Sequence, residues 1–328
     1  MIMLSFSPPQ PVHSRIVGVG YESPERVVTN DELSQTLDTS DEWITSRVGI
    51  RERRLAAEGQ SVTDLAAGAG VKALLSADVQ GSDIDMVIVA TMTAMDRSPS
   101  TAAQVATRIG ATHPVAFDLN AACAGFSQAL AVADQAIQAG SASRALIIGA
   151  ERMSDFMDWT DRTTAILMAD GAGAVVLERS GTPGIAPVAW GSQPELGNLV
   201  RIQQPSGRFE QEGRSVFRWA ITQAQHVAID ALAKGGVRAD ELVAFVPHQA
   251  NLRIIDALGK QLGLADEVVA RDVVYSGNTS AASIPIALAK QVEAGVAEPG
   301  GPALLLGFGG GFCYSGQVIA FPEVRNPA

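Results

Sequence analysis

The sequence predicts an α/β protein built from two similar halves, each holding a mainly parallel sheet covered on both faces. Three observations carry this: apolar runs of strand length alternate with helix-period segments, two stretches repeat one order of elements, and equivalent helices in them end on Ala-Gly. In the first half, Asp64 to Ala77 has helical spacing, Asp83-Ile84-Asp85 leads into the apolar run Met86 to Ala90, and Thr101 to Ile109 forms the next helix. A short strand from Val115 to Leu119, a helix from Asn120 to Gly140 and a strand from Ala145 to Gly149 follow. The second half runs through helix Ala220 to Lys234, strand Leu242 to Val246, helix Leu252 to Leu262, strand Val268 to Val274, helix Gly277 to Gly295 and strand Ala303 to Gly307. Such alternation implies parallel pairing with helices on both sheet faces. Gly295 lies 155 residues after Gly140, and that offset sets Asn278 opposite Cys123.

The turn-rich stretch Ser180-Gly181-Thr182-Pro183-Gly184 divides the halves, giving units 14–180 and 181–328 behind an expected disordered extension, 1–13, which carries Pro8, Pro9 and Pro11 and lacks the basic start of a signal peptide. At 328 residues, 47% hydrophobic and 18% charged, the chain has the balance of a globular protein. Glycines interrupt the uncharged run from Pro299 to Pro322, which reads as strand, turn and strand and not as a membrane span. A net charge of -11 offers no general attraction for nucleic acid or an anionic membrane, so an acidic partner needs a local basic patch. Two cysteines are too few for a disulfide framework, and a reducing cytoplasm is the expected setting.

Cys123 follows a strand and heads an apolar helix, where unpaired N–H groups and the positive helix end are expected to lower its thiol pKa and favour nucleophilic chemistry. The alternative is a small buried hydrophobe, the reading taken for Cys313 on its apolar strand. His248, in Pro247-His248-Gln249-Ala250-Asn251, stands where a buried strand gives way to a helix; there a neutral imidazole can stabilise an enolate, or simply be a satisfied cap. His13, His113 and His226 read as tail, loop and helix face. Asn278 is either an N-cap or a neutral hydrogen-bond donor in a crevice shared with Cys123. Gly307 to Gly311 surround Phe308 and leave backbone N–H groups open to an oxyanion, or form a tight turn. There is no HExxH, paired CxxC or GxSxG, and Gly171-Ala172-Gly173-Ala174 enters a strand without the third glycine of a dinucleotide site. Cofactor-free thiol chemistry remains, with no metal.

Taken together, Ala121-Ala122-Cys123-Ala124-Gly125-Phe126, Pro247-His248-Gln249-Ala250-Asn251, Gly277-Asn278-Thr279-Ser280-Ala281-Ala282-Ser283 and the closing glycine loop resemble 3-oxoacyl-(acyl-carrier-protein) synthase III. Asp38 to Ile44 and Asp170 before its glycines extend the likeness over about Arg15 to Phe321. The resemblance implies a thiolase-like duplicated fold in five αβαβα layers, as a homodimer. It implies that an acyl-CoA acylates Cys123 and that malonyl-acyl carrier protein then loses carbon dioxide and attacks the thioester. His248 and Asn278 would support decarboxylation, N–H groups of Cys123 and Gly310 would form the oxyanion hole, and Phe308 would shape the pocket. CoA would meet Trp43, Arg47 and Arg162, its pantetheine passing Gly213, Phe217 and Asn251, while Arg218, Arg253 and Lys260 would attract the carrier protein.

Two departures matter. Val48 follows Arg47 where threonine is common in the family, so one CoA hydrogen bond is expected to be missing. Ser98 stands where members preferring acetyl groups carry phenylalanine, expected to act across the dimer interface, and the smaller residue leaves room for branched or longer starters. The rival readings are a starter-unit ketosynthase priming a polyketide pathway and a non-catalytic carrier-binding homologue.

Overall fold

The computed structural model describes residues 12–325, so residues 1–11 of the extension expected over 1–13 lie outside the described residues. His13, which the sequence placed in that extension, instead opens a strand, because its backbone pairs with Ser180. The first half runs β1 (His13–Glu22), β2 (Arg26–Thr29), α1 (Asn30–Ser34), α2 (Asp41–Val48), β3 (Glu52–Leu55), α3 (Val62–Ala77), β4 (Met86–Ala90), α4 (Thr101–Ile109), β5 (Val115–Leu119), α5 (Gly125–Gln138), β6 (Arg144–Arg152) and β7 (Asp170–Ser180). The second runs β8 (Ala189–Ser192), β9 (Val200–Ile202), β10 (Phe209–Gln211), α6 (Gly213–Gly235), β11 (Ala244–Pro247), α7 (Leu252–Gln261), α8 (Val273–Ser276), α9 (Ser283–Glu293), β12 (Pro302–Phe308) and β13 (Cys313–Ala320). Serine hydroxyls start the early helices: Ser40 caps α2, Ser100 caps α4, and Ser61 with Asp64 forms a capping box on α3.

One sheet has strand order β1-β7-β6-β4-β5 and the other β11-β12-β13-β8. Both are mixed, which corrects the expectation of mainly parallel sheets. Parallel ladders join β4 to β5, β4 to β6 and β11 to β12, whereas β7 and β13 return antiparallel because no helix crosses between them and the strand before. A second correction concerns Val268 to Val274, which makes only an isolated bridge from Val269 to Phe245. The buried Gln249 amide substitutes for a ladder there, donating to Pro247 O and Ala270 O and accepting from Val273 N–H.

Three apolar clusters resolve the layers. The first packs α3 and α4 on one face of the first sheet through Leu65, Ala69, Ala73, Val105 and Leu146. The second is the central layer, where Leu130 and Ile137 of α5 and Ile284 and Leu288 of α9 meet Ile147, Val175, Val246 and Leu305 from both sheets. In the third, Ala224 and Ala228 of α6 and Ile255 and Leu258 of α7 cover the far face of the second sheet at Leu304 and Leu306. The order is αβαβα, the thiolase-like arrangement that the resemblance implied.

The duplication holds, but its register needs correcting. Helices α5 and α9 begin at Gly125 and Ser283, 158 residues apart, each behind a 3-10 turn entered through a left-handed residue, Ala122 (φ 46°) or Ser280 (φ 49°). Cys123 therefore matches Ala281, and Asn278 matches Asn120. The side chain Oδ1 of each asparagine accepts the N–H two residues on, from Ala122 at 3.4 Å and from Ser280 at 2.9 Å. Aligning the Ala-Gly ends misplaced the starts because α9 has 11 residues and α5 has 14.

The central helices approach the first sheet through glycine. A Cβ on Gly173 would lie 2.5 Å from Ile286 N and 2.6 Å from Pro285 C, and one on Gly149 would collide with Ala281 O. Gly173→Ala is expected to destabilise the fold by about 1–3 kcal/mol, since backbone and not a flexible side chain must give way. Gly181→Ala, with nothing near its Cβ direction, should be close to neutral. Denaturant unfolding of the two variants checks this.

Candidate active site

Cys123 sits in the 3-10 turn Ala122–Ala124, between the end of β5 and α5, and is 6% exposed. Its Sγ–H donates to Ser280 Oγ at 3.5 Å. Gly309 packs against the thiol so closely that a Cβ there would lie 2.7 Å from Sγ and 2.6 Å from Cys123 Cβ. Burial pushes the thiol up to about 11 and the Glu151 carboxyl adds to the rise, against the Ser280 hydroxyl and the N–H groups of Gly310 and Cys123 itself, which favour thiolate. This corrects the expectation of a lowered pKa: the helix start is where it was predicted, but it is buried.

His248 follows β11 and is 2% exposed, with its N–H on Leu306 O. Its Nδ1 lies 2.7 Å from Ser283 Oγ, in the first turn of α9, and Ser283 also accepts the Gln249 N–H. Burial alone pushes the imidazole down to about 3, so it is neutral near pH 7. Asn278 is tied to the segment before β7 by its N–H to Leu167 O and by Ala169 N–H to its own carbonyl. With Oδ1 accepting from Ser280, the amide is oriented and, among the described residues, no acceptor meets Nδ2.

One cavity of about 940 Å³ collects these groups: Cys123, His248, Asn278, Phe308, Gly309 and Gly310 lie on its wall. Phe308 meets the His248 ring edge-on, with centroids 5.7 Å apart, and packs on Trp219 from behind. Toward solvent the lining passes to Gly213 and Phe217 of α6 and to Asn251, the N-cap of α7, whose Nδ2 reaches Arg47 O at 3.3 Å. At the mouth, Trp43 lies between two guanidinium groups, Arg47 at 5.2 Å and Arg162 at 5.1 Å from its ring centroid. Arg162 is also held by Asp38. Arg218 and Arg253 line the same opening, Arg253 over the Phe217 ring. Val48 is buried and part of the lining, offering an apolar surface where a hydroxyl would have stood.

The structure leaves two predicted site residues, Lys260 and Ser98, away from this cavity, and Cys313, read as a packing residue, lies outside it too. Lys260 is exposed in the last turn of α7, and Cys313, with its thiol raised by burial, begins β13 outside the lining. Ser98 is exposed on the segment between β4 and α4 and does not reach Cys123 within one chain. Sequence reasoning missed Ser283, Ser280, Glu151 and Arg214. Ser280 and Ser283 were inside a quoted motif, but nothing in their spacing shows that a left-handed turn aims Ser280 at the thiol; Glu151, next to last in β6 and followed by Arg152, gave no signal beyond a charged pair closing an apolar run.

Residues 117–194 match the family model for 3-oxoacyl-[acyl-carrier-protein] synthase III, and residues 232–321 match its C-terminal counterpart. The chain is 55% identical over 312 residues to beta-ketoacyl-[acyl-carrier-protein] synthase III 4 of Streptomyces coelicolor, covering 94% of this chain and 99% of that one. It is 43% identical over 324 residues to the mycobacterial beta-ketoacyl-[acyl-carrier-protein] synthase III of Mycolicibacterium paratuberculosis, covering 95% and 97%. Among solved structures, the priming beta-ketosynthase of a polyketide biosynthetic pathway superposes with TM-score 0.94 at 39% identity, covering 99% of this chain and all of that one. The synthase III of Aquifex aeolicus gives TM-score 0.91 at 39% identity, covering 94% of this chain and all of that one. Matching along nearly its whole length and in both halves, the chain belongs to the 3-oxoacyl-[acyl-carrier-protein] synthase III family of condensing enzymes.

Proposed function

We propose that this chain condenses an acyl-CoA starter with malonyl-acyl carrier protein to initiate fatty acid synthesis, through an acyl group held on Cys123. The observation that carries the reading is one cavity in which a thiol, two neutral hydrogen-bond donors and a glycine-bared backbone meet behind an arginine-rimmed mouth. Acylation forms the Cys123 thioester and releases CoA, with Cys123 N–H and Gly310 N–H receiving the oxyanion. The malonyl thioester then enters, the bond to its carboxylate breaks, and the electrons pass into an enolate whose oxygen takes hydrogen bonds from His248 and Asn278. Donation of the enolate hydrogen bond from Nε2 requires the tautomer in which the Ser283 hydroxyl, 2.7 Å from His248 Nδ1, is the donor. Uncharged donors suit this step, because a buried site strengthens their dipoles without the cost of burying an ion. The enolate carbon attacks the Cys123 thioester and the 3-oxoacyl product leaves on its carrier.

Arg47, Arg162 and Arg214, with the N-terminal ends of α6 and α7, suit the phosphates of CoA, and Trp43 suits its base. Arg218, Arg253 and Lys260 suit an acidic carrier protein in a chain that is otherwise acidic. Lys260 is seven residues beyond Arg253 and so shares its face of α7. The reaction calls for no metal or cofactor, and a reducing cytoplasm keeps the thiol free. We also infer a homodimer through β5, one of the two edge strands of the first sheet, which would bring Ser98 of one protomer to the pocket of its partner. The likeness to a priming ketosynthase supports a second reading with the same chemistry, in which the product starts a polyketide.

Intact mass after incubation with acyl-CoA should show an acyl group on the wild type and none on Cys123→Ala; an acyl group on the variant would overturn the assignment. His248→Ala and Asn278→Ala should still acylate but lose about a hundredfold or more in condensation. An imidazole held neutral down to about pH 3 donates the same hydrogen bond from about pH 5 to pH 8, so the loss of condensation in His248→Ala relative to wild type should be the same across that range. The stability cost has the opposite visibility: the unfolded chain takes up the proton below 6.5 and the fold does not, so stability falls as pH drops through 6.5. With the small Ser98, isobutyryl-CoA and hexanoyl-CoA should turn over at least as well as acetyl-CoA, and Ser98→Phe should shift preference toward acetyl; a strong acetyl preference in the wild type would contradict the role given to Ser98.

A further inference from the structure

The acylation of Cys123 requires that its thiol lose a proton, and nothing described so far receives it. No hydrogen bond links His248 to Cys123, and the imidazole Nδ1 is engaged by Ser283. The only partner of Sγ–H among the described residues is Ser280 Oγ, at 3.5 Å. Ser280 in turn donates its hydroxyl proton to Glu151 Oε1, at 3.0 Å. Thiol, hydroxyl and carboxylate thus form an unbroken chain across buried space, with Glu151 at 0% exposure and Ser280 at 0%.

The end of that chain is built as an acceptor. Glu151 Oε2 takes hydrogen bonds from Thr93 Oγ1 at 2.7 Å, Thr91 Oγ1 at 3.1 Å and Met92 N–H at 3.2 Å. These donors come from the segment after β4 and are uncharged; Ser280 comes from the turn before α9. The charged neighbours on the paired strands point elsewhere: Arg152 reaches Gln60 O and Asp155, and Asp170 accepts from Ala56 N–H and Ser154. Cys123 is therefore the one titratable group facing Glu151 among the described residues. Burial pushes the Glu151 carboxyl up to about 7, against those hydrogen bonds, so it can take up and return a proton near neutrality. Ser280 is held at φ 49°, a strained conformation for a residue with a Cβ, and this turn is what directs its hydroxyl at both partners.

We propose that Glu151, acting through Ser280, accepts the proton that Cys123 loses on acylation and returns it when condensation frees the sulfur. The proposal rests on Cys123 being the acylated residue. In the forward step the S–H bond breaks and its proton passes to Ser280 Oγ, while the original Ser280 proton passes to Glu151 Oε1. The sulfur electron pair forms the bond to the acyl carbonyl, and CoA departs as a thiolate that is protonated from solvent at the cavity mouth. After the carbon–carbon bond forms, the Cys123 thiolate recovers its proton from Glu151 by the reverse path.

Single-turnover acylation with isobutyryl-CoA, followed by intact mass from about pH 5.5 to pH 8.5, tests the relay. Wild-type acylation should rise with pH through about 7 and level off, as the Glu151 carboxylate forms. Glu151→Gln and Ser280→Ala should each slow acylation about tenfold or more at the plateau and remove that inflection, and Glu151→Asp should restore part of both. A Glu151 that acted only as a nearby negative charge would give the opposite sign, since it raises the thiol pKa and its loss would speed acylation. Equal or faster acylation by Glu151→Gln with the inflection retained overturns the relay. If that variant does not fold, Ser280→Ala decides alone: an unchanged rate and pH profile overturns the proposal. A wild-type chain that gains no acyl group overturns the assignment of Cys123 and the relay with it, which separates the two failures.

Discussion

The structure depends on bringing two helix starts face to face between two sheets. Each start is entered through a left-handed residue other than glycine, Ala122 before Cys123 and Ser280 after Asn278, and each is held by an asparagine Oδ1 on the N–H two residues on. The second turn could not sit where it does if the strands it crosses carried side chains there, and the first would be crowded. Gly149 and Gly173 admit the second turn and α9 to the first sheet, and Gly307 admits the Ala124 backbone to the second. The thiol, the oriented amide of Asn278 and the Ser280 hydroxyl follow from that approach. Duplication supplied two equivalent turns, and different residues on them give one site two kinds of chemistry.

Burial then decides how the groups behave. The same burial that keeps His248 neutral raises the Cys123 thiol and the Glu151 carboxyl, so the pocket rests without a permanent cation against its reacting atoms. Charge is kept to the entrance, where Arg47, Arg162, Arg214, Arg218 and Arg253 ring the opening of a chain whose net charge is -11. This division suits a substrate that is anionic at its handle and uncharged at its reacting thioester.

Much of this was visible in the sequence because its main signals are local. The runs Met86–Ala90 and Val115–Leu119 are strands to the residue, and Thr101–Ile109 is a helix with its serine cap, since apolar period and capping act over a few residues. Cys123, His248, Asn278 and Gly310 were recognisable from motif and order and share one cavity. What escaped depends on relations between distant segments. Strand direction depends on connections, so the sheets proved mixed; Val268 to Val274 lost its ladder to the Gln249 side chain; and the internal register slipped because α9 is shorter than α5. The thiol pKa was misjudged for the same reason: a helix start is legible in sequence, and the depth at which it is buried is not. Glu151 and Ser280 lie 129 residues apart, and only the folded chain joins them.

The central claim is that acyl transfer occurs on Cys123 with its oxyanion directed to backbone N–H groups of the two facing segments. A crystal structure of the chain after exposure to an acyl-CoA, without the malonyl partner, tests it most directly. The account predicts an acyl group joined to Cys123 Sγ with its carbonyl oxygen between the N–H groups of Cys123 and Gly310, and His248 and Asn278 facing the space left for the second substrate. An acyl group bonded elsewhere, or a carbonyl oxygen turned toward His248 and Asn278, would contradict it.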